Sequence, residues 1–508
     1  MNGLPYSGSA LRRSTWHFLT GKAASALLTF FTLLWVVRLL TVTEYGAYVT
    51  FVASMELAIA IAALGLYWVA ARYLPEYRLH APEPLIRKLV LRLLAWHGAS
   101  LVGFTLALWL CLPHYLDWAS LSAHREAAGL YVLVLLVEGI GRQARESLLS
   151  SLLLQGLAQI SLVVRNLTLI VLLAVAAGLG AVQLIDVVRA ELAASVLATL
   201  IALTGLFGHL ARLSPLAGQP GWREPGLAEM WRTAGHMYSA HLLTLLYSPQ
   251  VFLLLIQRIL GAEAAAVFGF LRSLYEQTAR YLPAALLFSL VRPKLVASYV
   301  GGGSAAELAG DANLAGKLSL FVLMPLIAFA GVAGDELIAL LSGGKFLQTG
   351  LLFLGFMLAL VPFSQRQLLE TVAVAAGQSA LCTSAATSGL FMLPLMFVLV
   401  QMGWGLWAPV IAVGTGHLLF NVIILTGMAR RTGYRPDIAG FCKLLAAALA
   451  GYLAAVWLPP VSPAWVRLLA QALLATAAFL LAAWLVKPFS GVERTRLNGL
   501  ASRRLFIW

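Results

Sequence analysis

Apolar runs of about twenty residues recur along the whole chain, and no other feature restricts its fold so severely. Crossing a hydrocarbon core of about 30 Å takes roughly 20 helical residues. Runs of that length fall near 16–40, 45–71, 89–112, 128–152, 157–179, 183–208, 235–259, 264–290, 315–333, 349–375, 380–401, 406–428, 440–458 and 464–486. With 61% hydrophobic residues, 11% charged residues and a mean hydropathy of +0.87, the chain has the composition of a membrane protein. Only helices satisfy every backbone donor and acceptor inside a lipid-exposed segment, and the ten-residue alternation of an outer-membrane barrel is absent. The fold class is therefore all-α integral membrane, with about 14 transmembrane helices.

The chain also repeats itself. Arg38, Glu44 and Pro75 return as Arg258, Glu263 and Pro293, at offsets of 220, 219 and 218. Arg142 and Glu146 return as Arg366 and Glu370, offset 224, and the Gly178-Leu179-Gly180 joint returns as Gly403-Trp404-Gly405, offset 225. Three landmarks in one order point to six spans plus six. A proline-rich stretch holding Pro215, Pro220 and Pro225 separates them. The expected organisation is an N-terminal lobe over 1–208 (spans one to six), a cytoplasmic linker over 209–233, a C-terminal lobe over 234–429 (spans seven to twelve), and spans thirteen and fourteen with a tail over 430–508. Six spans return the chain to its starting side, so the repeat is parallel rather than inverted. Prolines 325 and 362, and the Tyr247–Gln250 segment, interrupt the second-half spans.

Most of the 35 basic residues sort to one side if the N-terminus is cytoplasmic, including the group from Arg72 to Arg92, Arg430 and Arg431, and the tail from Lys487 to Arg504. Basic residues in short loops prefer the inside, so both termini are expected in the cytoplasm. The +14 net charge is mostly this bias, with added attraction to anionic membrane lipid. No basic segment is interleaved with aromatics, so nucleic acid is not an expected partner. Cys111, Cys382 and Cys442 are far apart, which argues against a disulfide or metal cluster. The first apolar run reads as a retained span rather than a cleaved signal. Gly301–Ser304 lacks the lysine of a phosphate cradle.

Ionisable groups inside apolar runs mark function or tight pairing, because each costs about 2.5–3.5 kcal/mol at a helix centre. Span eight holds Arg272, Glu276 and Arg280 at i, i+4 and i+8, a ladder of roughly 12 Å on one helix face. Span two holds Glu56, within two positions of the repeat equivalent of Glu276. Span four holds Glu138, Arg142, Arg145 and Glu146, and span ten holds Arg366 and Glu370; the i, i+4 spacing expects Arg142–Glu146 and Arg366–Glu370 pairs pinning cytoplasmic helix ends. Asp186, Arg189 and Glu191 read as interfacial.

The L-x-x-x-E-Y-G-x-Y from Leu40 to Tyr48, the span-two ending from Gly65 to Glu76 with Arg72-Tyr73 and Pro75-Glu76, and the segment from Glu336 to Leu354 resemble the polysaccharide-export branch of the multidrug/oligosaccharidyl-lipid/polysaccharide (MOP, MATE-like) superfamily, the Wzx-type flippases. The resemblance covers about residues 10–430. It implies two six-helix lobes around a central cavity open to each side in turn, and a carrier that flips a polyprenyl-diphosphate oligosaccharide to the outer leaflet of a bacterial inner membrane for O-antigen, capsule or exopolysaccharide synthesis. On that reading Arg272 and Arg280 receive the diphosphate, Glu276 holds their geometry or carries a coupling proton, and Glu56 faces them. The implied partners are the lipid-linked oligosaccharide, polysaccharide polymerase and glycosyltransferases. No cofactor is implied beyond coupling to protons, sodium or the membrane potential. Residues 23–37 carry no charge, unlike the arginine-bearing first helix of lipid II flippases, and the first-span aspartate common in cation-coupled drug exporters is missing. A drug exporter of the same superfamily is the alternative. A membrane polymerase or ligase would need a larger catalytic loop than this chain has, and no enzyme is expected.

Overall fold

The computed structural model describes residues 8–213, 222–283, 305–459 and 462–500, with side chains from 21 onward except at 240, 305–308, 311, 375, 379, 499 and 500. Pro215, Pro220, Arg292, Pro293, the Gly301–Ser304 loop, Arg503, Arg504 and residues 284–290 of span eight lie outside the described residues. Thirteen helices among the described residues are long and apolar enough to cross a membrane. The fourteenth expected span is the one whose second part falls on 284–290.

The chain folds as two compact units, residues 1–269 and 270–508. In unit 1 the helices are α1 (Gly8–Leu39), α2 (Val42–Ala62), α3 (Leu66–His80), α4 (Glu83–Trp118), α5 (Arg125–Arg142), a π-helical turn (Gln143–Leu149), α6 (Gln155–Leu179), α7 (Leu184–Ala211), α8 (Leu227–Leu245), α9 (Pro249–Leu260) and the start of α10 (Ala262–Tyr281). Within this unit α5 packs on α4 and α7, α6 on α1 and α7, and α9 on α2.

Unit 2 continues from α10 with α11 (Ala305–Ser342), α12 (Gly350–Ala375), α13 (Ser379–Ser388), α14 (Met392–Gln401), α15 (Trp407–Thr432), α16 (Ile438–Val456), α17 (Ala464–Val486) and α18 (Gly491–Leu500). Here α12 packs on α11 and α15, and α13 and α14 pack on α15. Spans three to six of unit 1 (α4, α5, α6, α7) and nine to twelve of unit 2 (α11, α12, α13 with α14, α15) thus share a neighbour pattern, three-on-four matching nine-on-ten. The last two spans, α16 and α17, pair with each other and lie against α11.

Local chemistry accounts for the breaks. The repeated glutamate is a cap: the Glu44 backbone N–H donates to Thr41 Oγ1 at 3.3 Å, the Thr41 N–H donates to Glu44 Oε2 at 3.1 Å, and the Leu184 N–H donates to Glu44 Oε1 at 3.2 Å. That reciprocal box satisfies N–H groups that a helix start leaves open, and it ties α2 to the start of α7. Span two, expected to run to residue 71, stops at Ala62. Leu64 and Gly65 adopt left-handed φ values of 48° and 74°, and a Cβ on Gly65 would sit 2.5 Å from the Ala234 carbonyl oxygen. A side chain is excluded by both the conformation and the approach. Span seven breaks where expected, with Ser248 capping α9 ahead of Pro249. Both Pro325 and Pro362 sit inside continuous helices.

At its far end unit 2 is fastened by Lys317 of α11. Its fully buried ammonium donates to Asp437 Oδ2 and Glu493 Oε2, each at 2.6 Å, and to the Pro488 carbonyl at 3.2 Å. All three ammonium protons have acceptors, and the partners lie at the head of α16 and around α18. Partial burial opposes ionisation of Asp437, yet its hydrogen bonds from Lys317 and Gly440 outweigh this and hold its carboxyl below the usual aspartate range.

Candidate functional site

In unit 1 three arginines converge on one carboxylate. Glu138 Oε1 accepts from Arg145 Nη2 at 2.6 Å and from Arg142 Nε at 3.3 Å, and Glu138 Oε2 lies 3.3 Å from Arg165 Nε. Arg145 is 1% exposed and Glu138 4%, whereas Arg165 and Arg142 keep 17% and 31%. Local structure produces this geometry. The wider π-helical turn after Arg142 brings Arg145, seven residues on, back toward Glu138, and such turns recur at functional sites. Gly141 makes room for the guanidinium, since a Cβ there would meet Arg145 Nη1 at 2.7 Å. Arg165 Nε also donates to Ser195 of α7 at 3.2 Å, so α5, α6 and α7 are joined through one cluster.

The expected Arg142–Glu146 pair does not form. Glu146 is exposed, and Arg142 turns back one helical turn to Glu138, where a buried carboxylate in low dielectric is the stronger partner. Likewise Glu191 is not interfacial: it is buried and accepts from the Tyr48 hydroxyl at 2.8 Å, while Asp186 and Arg189 do sit at the helix start. Glu56 accepts from Gln250 Nε2 of α9 at 2.9 Å and lies within electrostatic reach of Arg142. Sequence reasoning passed over Arg165; its one visible signal was a lone arginine in the middle of the apolar run 157–179.

In unit 2 the ladder is present on α10 with graded exposure. Arg272 Nε donates to Glu276 Oε1 at 2.7 Å with 8% exposed, while Arg280 reaches Glu276 Oε2 only at 3.9 Å with 58% exposed. Glu276 is thus committed to Arg272, and Arg280 retains most of its donors for another anion. Arg366 of α12 makes no ion pair with Glu370, which is exposed, among the described residues. Its guanidinium instead stacks 4.3 Å from the Phe420 ring centroid and donates from Nη1 to His417 Nδ1 at 3.3 Å. The same guanidinium lies within electrostatic reach of Tyr275, a buried neighbour of the ladder on α10, whose ring packs edge-on against Phe356 and tilted against Phe363 of α12. Stacking fits arginine because its planar, weakly hydrated cation tolerates an aromatic face.

Among the described residues no group of histidine, cysteine, aspartate or glutamate could hold a metal ion. What unit 2 offers is cationic, the guanidinium groups of Arg272, Arg280 and Arg366 with one committed carboxylate, whereas the three guanidinium groups around Glu138 in unit 1 also lie within electrostatic reach of Glu56, Glu146 and Glu191. In an apolar spanning body such clusters suit an anionic oxyanion group, which arginine binds bidentately.

Among the described residues, an all-helical body with thirteen candidate spans and buried arginine clusters defines a multi-pass membrane protein. The chain belongs to the polysaccharide biosynthesis protein family, whose profile matches residues 11–291. Among solved structures it is similar to the lipid II flippase MurJ in an inward closed conformation, with a TM-score of 0.71 and 12% identity over 92% of this chain and 98% of that one. It is also similar to an inward-facing MATE family multidrug resistance transporter of the MOP superfamily, with a TM-score of 0.58 and 14% identity over 80% of this chain and 94% of that one. A Vibrio cholerae MATE transporter follows at a TM-score of 0.52 and 13% identity, covering 84% of this chain and 98% of that one. No curated protein matches the chain in sequence.

Proposed function

We propose that the chain flips a polyprenyl-diphosphate-linked oligosaccharide from the cytoplasmic to the outer leaflet of a bacterial inner membrane by alternating access, with both termini cytoplasmic, for O-antigen, capsule or exopolysaccharide synthesis. The observation that carries this is the surplus of guanidinium over carboxylate on α10 and α12 of a polysaccharide biosynthesis family member. A diphosphate head must be desolvated to cross, and Arg280 and Arg272 on α10 supply bidentate donors that replace its water. Glu276 keeps Arg272 extended, so the ladder is preorganised before the anion arrives. An outward-moving anion gains about 2.3 kcal/mol per charge per 100 mV from an inside-negative potential, which supplies a driving force; exchange against protons or sodium would act through Glu56 or Glu276. Polymerase and glycosyltransferases are the expected partners on either side of the step, and the chain itself performs no covalent chemistry.

Restoring glycan export in cells that lack their own flippase tests this. Export by the wild-type chain, lost in Arg272→Ala/Arg280→Ala at matched protein levels, supports it. Failure of the wild-type chain to support export of any lipid-linked glycan, while the same cells expel cationic dyes through it, would favour the drug-exporter alternative.

A further inference from the structure

The end of unit 1 where α4 finishes and α5 and α7 begin carries a recess of about 520 Å³, lined among others by Trp109, Arg125, Glu126, Gly129, Leu133 and Arg189. Trp109, Tyr115 and Trp118 place this end at a membrane interface, where amphipathic rings settle at headgroup depth. On the lipid side Leu106, Trp109 and Leu110 of α4, at i, i+3 and i+4, are 59%, 51% and 77% exposed, and Leu133 of α5 is 41% exposed. An apolar face therefore runs from the recess toward the bilayer centre. Arg189 is paired with Glu126 at 3.2 Å and lies 3.8 Å from Asp186, in bridges that stay largely solvated. Such exposed bridges are weak and yield readily to a better anion. Arg125 is exposed and has no carboxylate within 4.0 Å among the described residues.

We propose that this recess binds the phosphate headgroup of an anionic phospholipid. Arg125 and Arg189 flank the phosphate as bidentate donors, Trp109 and Leu133 line the glycerol region, and the acyl chains lie along Leu106 and Leu110. Glu126 and Asp186 both lie on Arg189, so Arg125, with no carboxylate within 4.0 Å among the described residues, is the donor that favours a lipid with net negative charge, since a zwitterionic lipid brings its own cation. Gly129 shapes the floor. A Cβ there would meet only the Trp109 ring, at 3.7 Å, so the position accepts a side chain, and one larger than alanine fills the space. The site is independent of the transported substrate.

Native mass spectrometry of the full chain, released from detergent micelles supplemented with phosphatidylglycerol or phosphatidylcholine, tests it. The wild-type chain should retain one more phosphatidylglycerol than Arg125→Ala/Arg189→Ala, with an affinity difference on the order of tenfold or more and with equal phosphatidylcholine retention. Gly129→Leu, which keeps both arginines and occupies the recess, should show the same loss. Unchanged melting temperatures and elution volumes show that the variants are folded. Equal phosphatidylglycerol retention by all three proteins overturns the site, and equal loss of both lipids overturns its anionic preference.

Discussion

Arg145 donates to Glu138 across 2.6 Å with both side chains almost wholly buried, and the same carboxylate holds Arg142 and Arg165. The carboxylate is therefore the shared counter-ion of three helical segments. Glu138→Ala removes the one carboxylate in direct contact with all three guanidinium groups, and removing one partner of a buried pair costs about 3–5 kcal/mol. Its melting temperature in detergent should fall well below wild type, whereas Glu146→Ala, on the exposed face of the same turn, should leave it unchanged. Equal melting of the two variants would remove the central role given to Glu138.

The Lys317 fastening predicts a local rather than global effect. Lys317→Met leaves Asp437 and Glu493 facing each other without their cation, so hydrogen exchange should accelerate at residues 437–440 and 491–498 while α12 and α15 stay protected. The pH dependence follows from the lowered Asp437 carboxyl. A carboxylate whose folded pKa lies below its unfolded value contributes stability above the unfolded value, near 3.8, and loses it as pH falls through the folded one. Protection of these segments in the wild-type chain should hold steady from neutral pH down to about 4 and drop only in stronger acid.

Gly65 predicts a backbone effect. Gly65→Ala must hold a left-handed φ and meet the Ala234 carbonyl at 2.5 Å. Destabilisation should exceed about 1 kcal/mol, readable as a lower melting temperature, while Gly178→Ala, which meets nothing within 4 Å, should be neutral.

Arg366 predicts a split between fold and transport. Arg366→Lys keeps the charge but loses the flat stack on Phe420 and the reach to His417, so export should fall at least severalfold with protein levels unchanged. Wild-type export by this variant would reduce Arg366 to a packing residue.

The helical class was legible in the sequence because hydropathy is carried by whole segments. The α10 ladder was legible too, since i, i+4 partners share a face whatever packs around them. Arg142 was not. Its spacing to Glu146 and to Glu138 is equally good, and only the burial of Glu138, the π-helical turn that returns Arg145, and Arg165 arriving from α6 decide between them. The early end of span two was hidden for a related reason, because Leu64-Gly65 reads as continuous apolar chain until the approach of Ala234 forces the turn. Arg366 likewise depended on Phe420 and His417, which lie more than fifty residues away in sequence.

On the proposed function, cationic groups inside the spans carry an anionic lipid head across the bilayer. Purified chain reconstituted into vesicles with a fluorescent polyprenyl-diphosphate sugar, quenched from outside, measures this directly. The wild-type chain should move the probe between leaflets faster than protein-free vesicles, and Arg272→Ala/Arg280→Ala should return the rate to that background. Equal rates in wild-type and protein-free vesicles, or full activity in the double variant, would contradict it.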